Sequence, residues 1–251
     1  MRIEYKAIKP IGRQKPPAYA DICAHTNDVF KFGLLSPCGA AYATKKLYGS
    51  DVMTSAHETT HGINNDIANG PGGHRSKCVG LYGLDDIAFY VPEPGITITD
   101  VARKTPKEYR GGICQVYDLY LVKQAASWGD RPLYLADEWY AYTNGAIVAL
   151  QAAEAGDTDP NRWSEIQNAI YFNAFMGVLW ETLGPTKQND EIFEMMKFNY
   201  ARVHHTFTES DKLTTLQRPE TNELLDKFYS SKWFKPFEKL DKLDYGTEDY
   251  L

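Results

Sequence analysis

The sequence predicts an α+β fold, with one helix, then a small sheet, then a mostly helical second half. Three observations carry this. Residues 51–68 repeat apolar side chains at helical spacing. Residues 87–99 hold two β-branched or aromatic runs around a proline–glycine turn, and helical periodicity dominates from residue 133 onward. Helices and strands are thus segregated rather than alternating as in α/β chains.

Taken in order, the first fifty residues are rich in proline and glycine (Lys9-Pro10-Ile11-Gly12, then Lys15-Pro16-Pro17). They read as irregular chain with room for one strand. From Asp51 to about Ala68, the residues Val52, Ala56, Ile63 and Ile67 form the apolar stripe of a helix. Ser50 or Asp51 caps its start, and Asn69-Gly70-Pro71-Gly72-Gly73 ends it. Ile87-Ala88-Phe89-Tyr90-Val91 and Ile96-Thr97-Ile98-Thr99 flank Pro92-Glu93-Pro94-Gly95, which predicts a hairpin. Helical spacing returns from Lys107 to Trp128, weakened by Gly111-Gly112. Beyond Gly129-Asp130-Arg131-Pro132 come helices over Leu133 to about Ala155, Arg162 to Leu183 and Asp190 to about Thr208, with a short one over Thr221 to Lys227. The 129–132 link is too short to separate independent domains, so residues 1–251 read as one domain with room for two lobes around a cleft. Trp163, Phe175, Met176 and Trp180 recur at helical spacing as core, and the acidic tail from Asp241 reads as a solvated terminus.

Composition narrows the function classes. With 251 residues, 43% of them hydrophobic, the chain can bury a sizeable core. A net charge of -6 argues against nucleic acid as a partner, because phosphate neutralisation needs a basic face. No apolar run is long enough for a membrane span. Met1-Arg2-Ile3-Glu4-Tyr5-Lys6 lacks the features of a secretory signal, while the aromatic content and the even cysteine count lean toward a secreted or extracytoplasmic protein. Cys23, Cys38, Cys78 and Cys114 permit two bridges in any of three pairings; isolated buried thiols fit equally well. No CxxC pair, phosphate-binding loop, G-x-S-x-G or dinucleotide fingerprint is present.

The most informative stretch is His57-Glu58-Thr59-Thr60-His61. Residues four apart share one face of a helix, so both imidazoles reach the same ion, and zinc suits neutral imidazole. Glu58 lies about 100° around the helix from His57. It is placed to take a proton from water on the zinc, whose pKa the ion lowers toward about 7, rather than to ligate.

These five residues resemble the active-site helix of the zincin metallopeptidases, a resemblance that covers this helix and extends to a second, not to the whole chain. It implies zinc as cofactor, a zincin-like helix-plus-sheet fold around a cleft, and hydrolysis of a peptide or protein substrate. The metzincin extension fails, because Asn64 and Ile67 stand where glycine and histidine are needed. The gluzincins with a nearby glutamate ligand fail too, because Val79-Gly80-Leu81-Tyr82 has no acid before Asp85 and Asp86.

A more distant gluzincin-like arrangement, with a glutamate ligand on a later helix, fits Glu138. Ala141, Gly145, Ala149 and Ala152 follow it down one face, all small enough for another helix to approach closely. Asp137, His74 and Glu154 are competing ligands; Asp137 has a second use, accepting the N–H of a ligand histidine. Tyr134 and Tyr142, one turn before and after Glu138, are candidate oxyanion donors. His204 and His205 are adjacent and face different directions, and Asn64 and Asn65 either hydrogen-bond near the metal or cap the helix. The expected function is a zinc-dependent metallopeptidase. The rival readings are a zinc hydrolase of a non-peptide amide and a non-catalytic metal-binding or interaction domain.

Overall fold

The computed structural model describes residues 2–4, 52–69, 78–84, 87–111, 115–157, 159, 161–184 and 189–237. Three strands, β1 (Arg2–Glu4), β2 (Cys78–Tyr82) and β3 (Ile87–Pro92), form one antiparallel sheet in the order β1-β3-β2. Arg2 sits opposite Phe89, and Tyr82 opposite Ala88. The rest is mostly helix: α1 (Val52–Asn69), α2 (Ile98–Lys104), α3 (Ala125–Trp128), α4 (Tyr134–Glu154), α5 (Trp163–Leu183), α6 (Asp190–Ser210) and α7 (Pro219–Tyr229). This is the α+β segregation that the sequence pattern predicts. The predicted caps of α1 at residues 50–51 and 70–73, and the acidic tail, lie outside the described residues.

The predicted hairpin needs correcting. β3 forms as expected, but its partners are β1 and β2, while Ile96-Thr97-Ile98-Thr99 leads into α2. The cause is a capping box. The Thr97 hydroxyl accepts the Asp100 N–H at 3.2 Å, and the Asp100 carboxylate accepts the Thr97 N–H at 2.9 Å. Ile98, Val101 and Ala102 then bury one helical face, so branched residues that suit a strand pack as a helix. Thr97→Ala should destabilise the protein by about 1 kcal/mol, read as a lower urea midpoint with an unchanged slope.

β2 was not anticipated because Gly80 lies at its centre, where glycine weakens strand propensity. The structure shows why glycine stands there. A Cβ at Gly80 would run into the Asn64 carbonyl and the Ile67 Cβ of α1, so only glycine lets this strand lie directly on the helix. The predicted helix over 107–128 is also broken. A 3₁₀ turn at Lys107–Tyr109 is followed by a π-helical stretch, Tyr117–Lys123, and then by α3.

α4 is the central element. It is buried on nearly every side, between α1 on one flank and α5 and α6 on the other. The polar tips of its large aromatics are satisfied: the Trp139 indole N–H donates to Asn173 Oδ1 and the Tyr140 hydroxyl to the Met195 carbonyl, both at 2.9 Å. A smaller cluster around Ala56, Ile63, Ile67, Tyr82 and Val148 seats α1 between the sheet and α4. Phe175, Met176 and Trp180 are core as expected. Among the described residues no helix is long and apolar enough to cross a membrane.

Candidate metal centre

α1 carries His57 and His61 on its inner face, and packing against α4 brings Glu138 to both. The two histidine Nε2 atoms are 3.2 Å apart, and Glu138 Oε2 lies 3.4 Å from that of His61 and 3.7 Å from that of His57. A tetrahedral zinc with ligands at about 2.05 Å has an edge of about 3.3 Å between donor atoms. The three donors therefore stand at nearly the spacing that one such ion requires. Glu138 is 5% exposed, and its Oε2 is buried without a hydrogen-bond partner. A buried carboxylate oxygen left so is costly unless a cation meets it.

The other histidine nitrogens are held by carboxylates. His57 Nδ1 lies 3.0 Å from Glu165 Oε2, and His61 Nδ1 lies 3.0 Å from Asp137 Oδ2. With each Nδ1 proton donated to its carboxylate, both Nε2 lone pairs and Glu138 Oε2 face one another. Only a shared cation or added protons relieve that arrangement. Burial opposes charge on His61, but Asp137 and Glu138 outweigh it and hold the imidazole well above its usual pKa. Burial likewise works to raise Glu138, yet His61, His57 and Tyr134 together hold it below the usual carboxylate range.

The hydrogen bonds extend outward in order. Asn64 Nδ2 donates to Asp137 Oδ1 at 2.7 Å, and Asn64 Oδ1 accepts the Tyr82 N–H of β2 at 2.7 Å. The sheet thus fixes Asn64, Asn64 fixes Asp137, and Asp137 fixes the ring of His61. The Tyr134 hydroxyl lies 2.5 Å from both Glu138 Oε1 and Gln124 Oε1; its one proton, donated to the charged carboxylate, orients Glu138 so that Oε2 faces the histidines. Burial and the Glu138 charge keep the Tyr134 hydroxyl protonated far into the alkaline range.

The residues expected from sequence fall as follows. His57, His61 and Glu138 come together. Glu58 follows His57 on α1 and is half-buried. Asp137 takes the second use foreseen for it, against His61, and Asn64 hydrogen-bonds beside the cluster. Tyr134 touches the site through Glu138, whereas the buried Tyr142 packs its ring edge-on against His57 at 4.4 Å. The Tyr142 hydroxyl pairs with Tyr120 at 2.9 Å. Asn65 interacts with Asn69 at the end of α1. Glu154 is exposed, about 24 Å along α4 from Glu138. His204 and His205 lie on α6, and His204 sits edge-on to Tyr229. His74 lies outside the described residues, as do Cys23, Cys38 and Cys114; Cys78 is a free thiol.

Two residues of the site were missed. Glu165 stands in the first turn of α5, where an acid is ordinarily read as answering the helix dipole. Its signal was Gly145, noted only as a small residue: a Cβ there would meet Glu165 Oε2 at 2.5 Å. Tyr120 enters on the π-helical stretch, a distortion that sequence spacing does not announce. No protein family, no curated protein and no solved structure matches the chain.

Proposed function

We propose that this chain is a zinc-dependent metallopeptidase with a zincin-like catalytic unit. His57, His61 and Glu138 hold the zinc, and Glu58 is the general base. One observation carries the reading: two imidazole nitrogens and a buried, otherwise unpartnered carboxylate oxygen converge at tetrahedral spacing, with both rings anchored from behind by carboxylates. Zinc bound there supplies a Lewis acid that acidifies water and polarises a carbonyl. Glu58 takes the proton from the attacking water and delivers it to the leaving amine as the C–N bond breaks. Asp137 and Glu165 hold the two rings in place, and Tyr134 holds Glu138.

The test is cleavage of a mixed peptide library by the zinc-loaded chain, beside the chelated chain and Glu58→Gln. Cleavage by the zinc-loaded wild type alone supports the reading. A library left intact while simple non-peptide amides are hydrolysed moves the activity to the rival substrate class.

The anchoring of His57 makes a separate prediction. In Gly145→Ala the new methyl group displaces the Glu165 carboxylate, so His57 loses the partner that orients it. Zinc affinity, measured by competition with a chromophoric chelator, should fall by roughly 10–100-fold, the usual effect of losing such a partner.

A further inference from the structure

Beside the donor cluster lies a cleft of about 240 Å³, whose lining includes His61, Asp137 and Glu138 together with Glu93, Trp128 and Arg131. We propose that Glu93 is the specificity residue of this site and selects substrates with a cationic side chain, lysine or arginine, beside the scissile bond. The inference rests on the metallopeptidase reading, and it names that enzyme's substrate class.

Glu93 sits just past β3 and is half-buried. Its Oε2 accepts the Leu133 N–H at 3.0 Å, just ahead of α4. That single backbone hydrogen bond leaves much of the carboxylate's accepting capacity unused. The nearest cation on the cleft wall is turned elsewhere. Trp128 stacks flat on Tyr134 at 4.3 Å, and the Arg131 guanidinium rests over the Trp128 ring at 4.5 Å. Among the described residues no ion pair reaches Glu93, and Arg131 acts on it only from a distance. Burial, with a smaller push from the Asp130 charge, raises the Glu93 carboxyl to about 7, while Leu133 and Arg131 offset only part of that. A cation in contact with Glu93 would hold it ionised. The cleft also has apolar lining, Ala68, Val79 and the Trp128 ring, against which a lysine or arginine stem can pack.

Charge balance favours a cation. A zinc dication with neutral histidines would face Glu138, Asp137 and Glu165, leaving the centre about one charge negative before Glu93 is counted, while Arg131 rests over Trp128 rather than pairing with Glu93. A neutral pocket would gain nothing from leaving Glu93 without a counter-ion, and an acidic side chain would meet Glu93 directly.

The experiment measures binding rather than turnover. Three peptide hydroxamates with one backbone and a lysine, norleucine or glutamate side chain are titrated into the zinc-loaded chain and into zinc-loaded Glu93→Gln. Glutamine keeps an acceptor for the Leu133 N–H, so the substitution removes charge while retaining the contact. The lysine compound should bind the wild type at least tenfold tighter than the norleucine compound. Glu93→Gln should erase that difference and leave norleucine binding unchanged. Equal binding of all three by the wild type, or a lysine preference that survives Glu93→Gln, overturns the inference and leaves the metal centre standing. Preference for the glutamate compound also overturns it and assigns the selection to Arg131. A chain that takes up no zinc and binds none of the three overturns the metallopeptidase reading and this inference together.

Discussion

Removing the Glu138 carboxylate should strip zinc from the protein. Elemental mass spectrometry on the reconstituted wild type should find close to one zinc per chain, and on Glu138→Ala and His57→Ala treated identically, close to none. Loss of a hydrogen-bond partner behind a ligand costs roughly 10–100-fold in affinity. Loss of one of three donors should cost more than that. Glu138 supplies the site's one charged donor atom and is the only one of the three donors on a second helix. Glu138→Ala also opens space in a buried wall, so Glu138→Gln accompanies it, since glutamine fills the same volume and leaves Tyr134 an acceptor. Glutamine donates poorly to zinc, so this variant should fold like the wild type by thermal unfolding and still lose the metal. Zinc lost with His57 but retained in both Glu138 variants would move the third ligand elsewhere. A wild type that takes up no zinc would make the motif an accident.

Part of this arrangement was legible in the sequence. The pair of histidines is a local pattern: four residues of α-helix put both side chains on one face whatever the rest of the chain does. Glu138 was reachable by a weaker argument. The run of Ala141, Gly145, Ala149 and Ala152 signals that another helix comes close; at Gly145 that neighbour is Glu165 of α5, while α1 also packs against α4. Which acid then faces the two histidines follows from phase along α4. Glu138 is on the face toward the two Nε2 atoms, and Asp137, one residue back, reaches the outer nitrogen of His61 instead. Glu165 was not legible because its partner is 108 positions away, and no local periodicity encodes such a meeting. The hairpin failed for the opposite reason. The strand signal of Ile96-Thr97-Ile98-Thr99 is local, but so is the capping box between Thr97 and Asp100, which outweighs it once Ile98 and Val101 have a helical face to bury. β2 and the π-helical stretch around Tyr120 depend on what lies against them.

Glu58→Gln separates chemistry from metal binding more sharply than any other substitution. Glu58 is outside the donor cluster, so the variant should hold zinc with the same stoichiometry and nearly the same affinity as the wild type. General acid–base catalysis by one positioned group contributes typically 10²–10⁴-fold. Here one carboxylate serves twice, taking the proton from water and returning it to the leaving amine, so the loss belongs at the upper end of that range. Glutamine preserves the shape and exposure of the side chain and removes only its basicity, so kcat should fall while KM for a cleaved peptide changes little. The pairing of results carries the argument. A collapse in kcat with zinc intact assigns Glu58 the proton transfer that the reading requires. Full activity in Glu58→Gln would leave a metal centre without its base and would end the metallopeptidase mechanism. Loss of zinc along with activity would instead place Glu58 among the groups that hold the metal, a role in which its half-buried position beside His57 would have to be reconsidered.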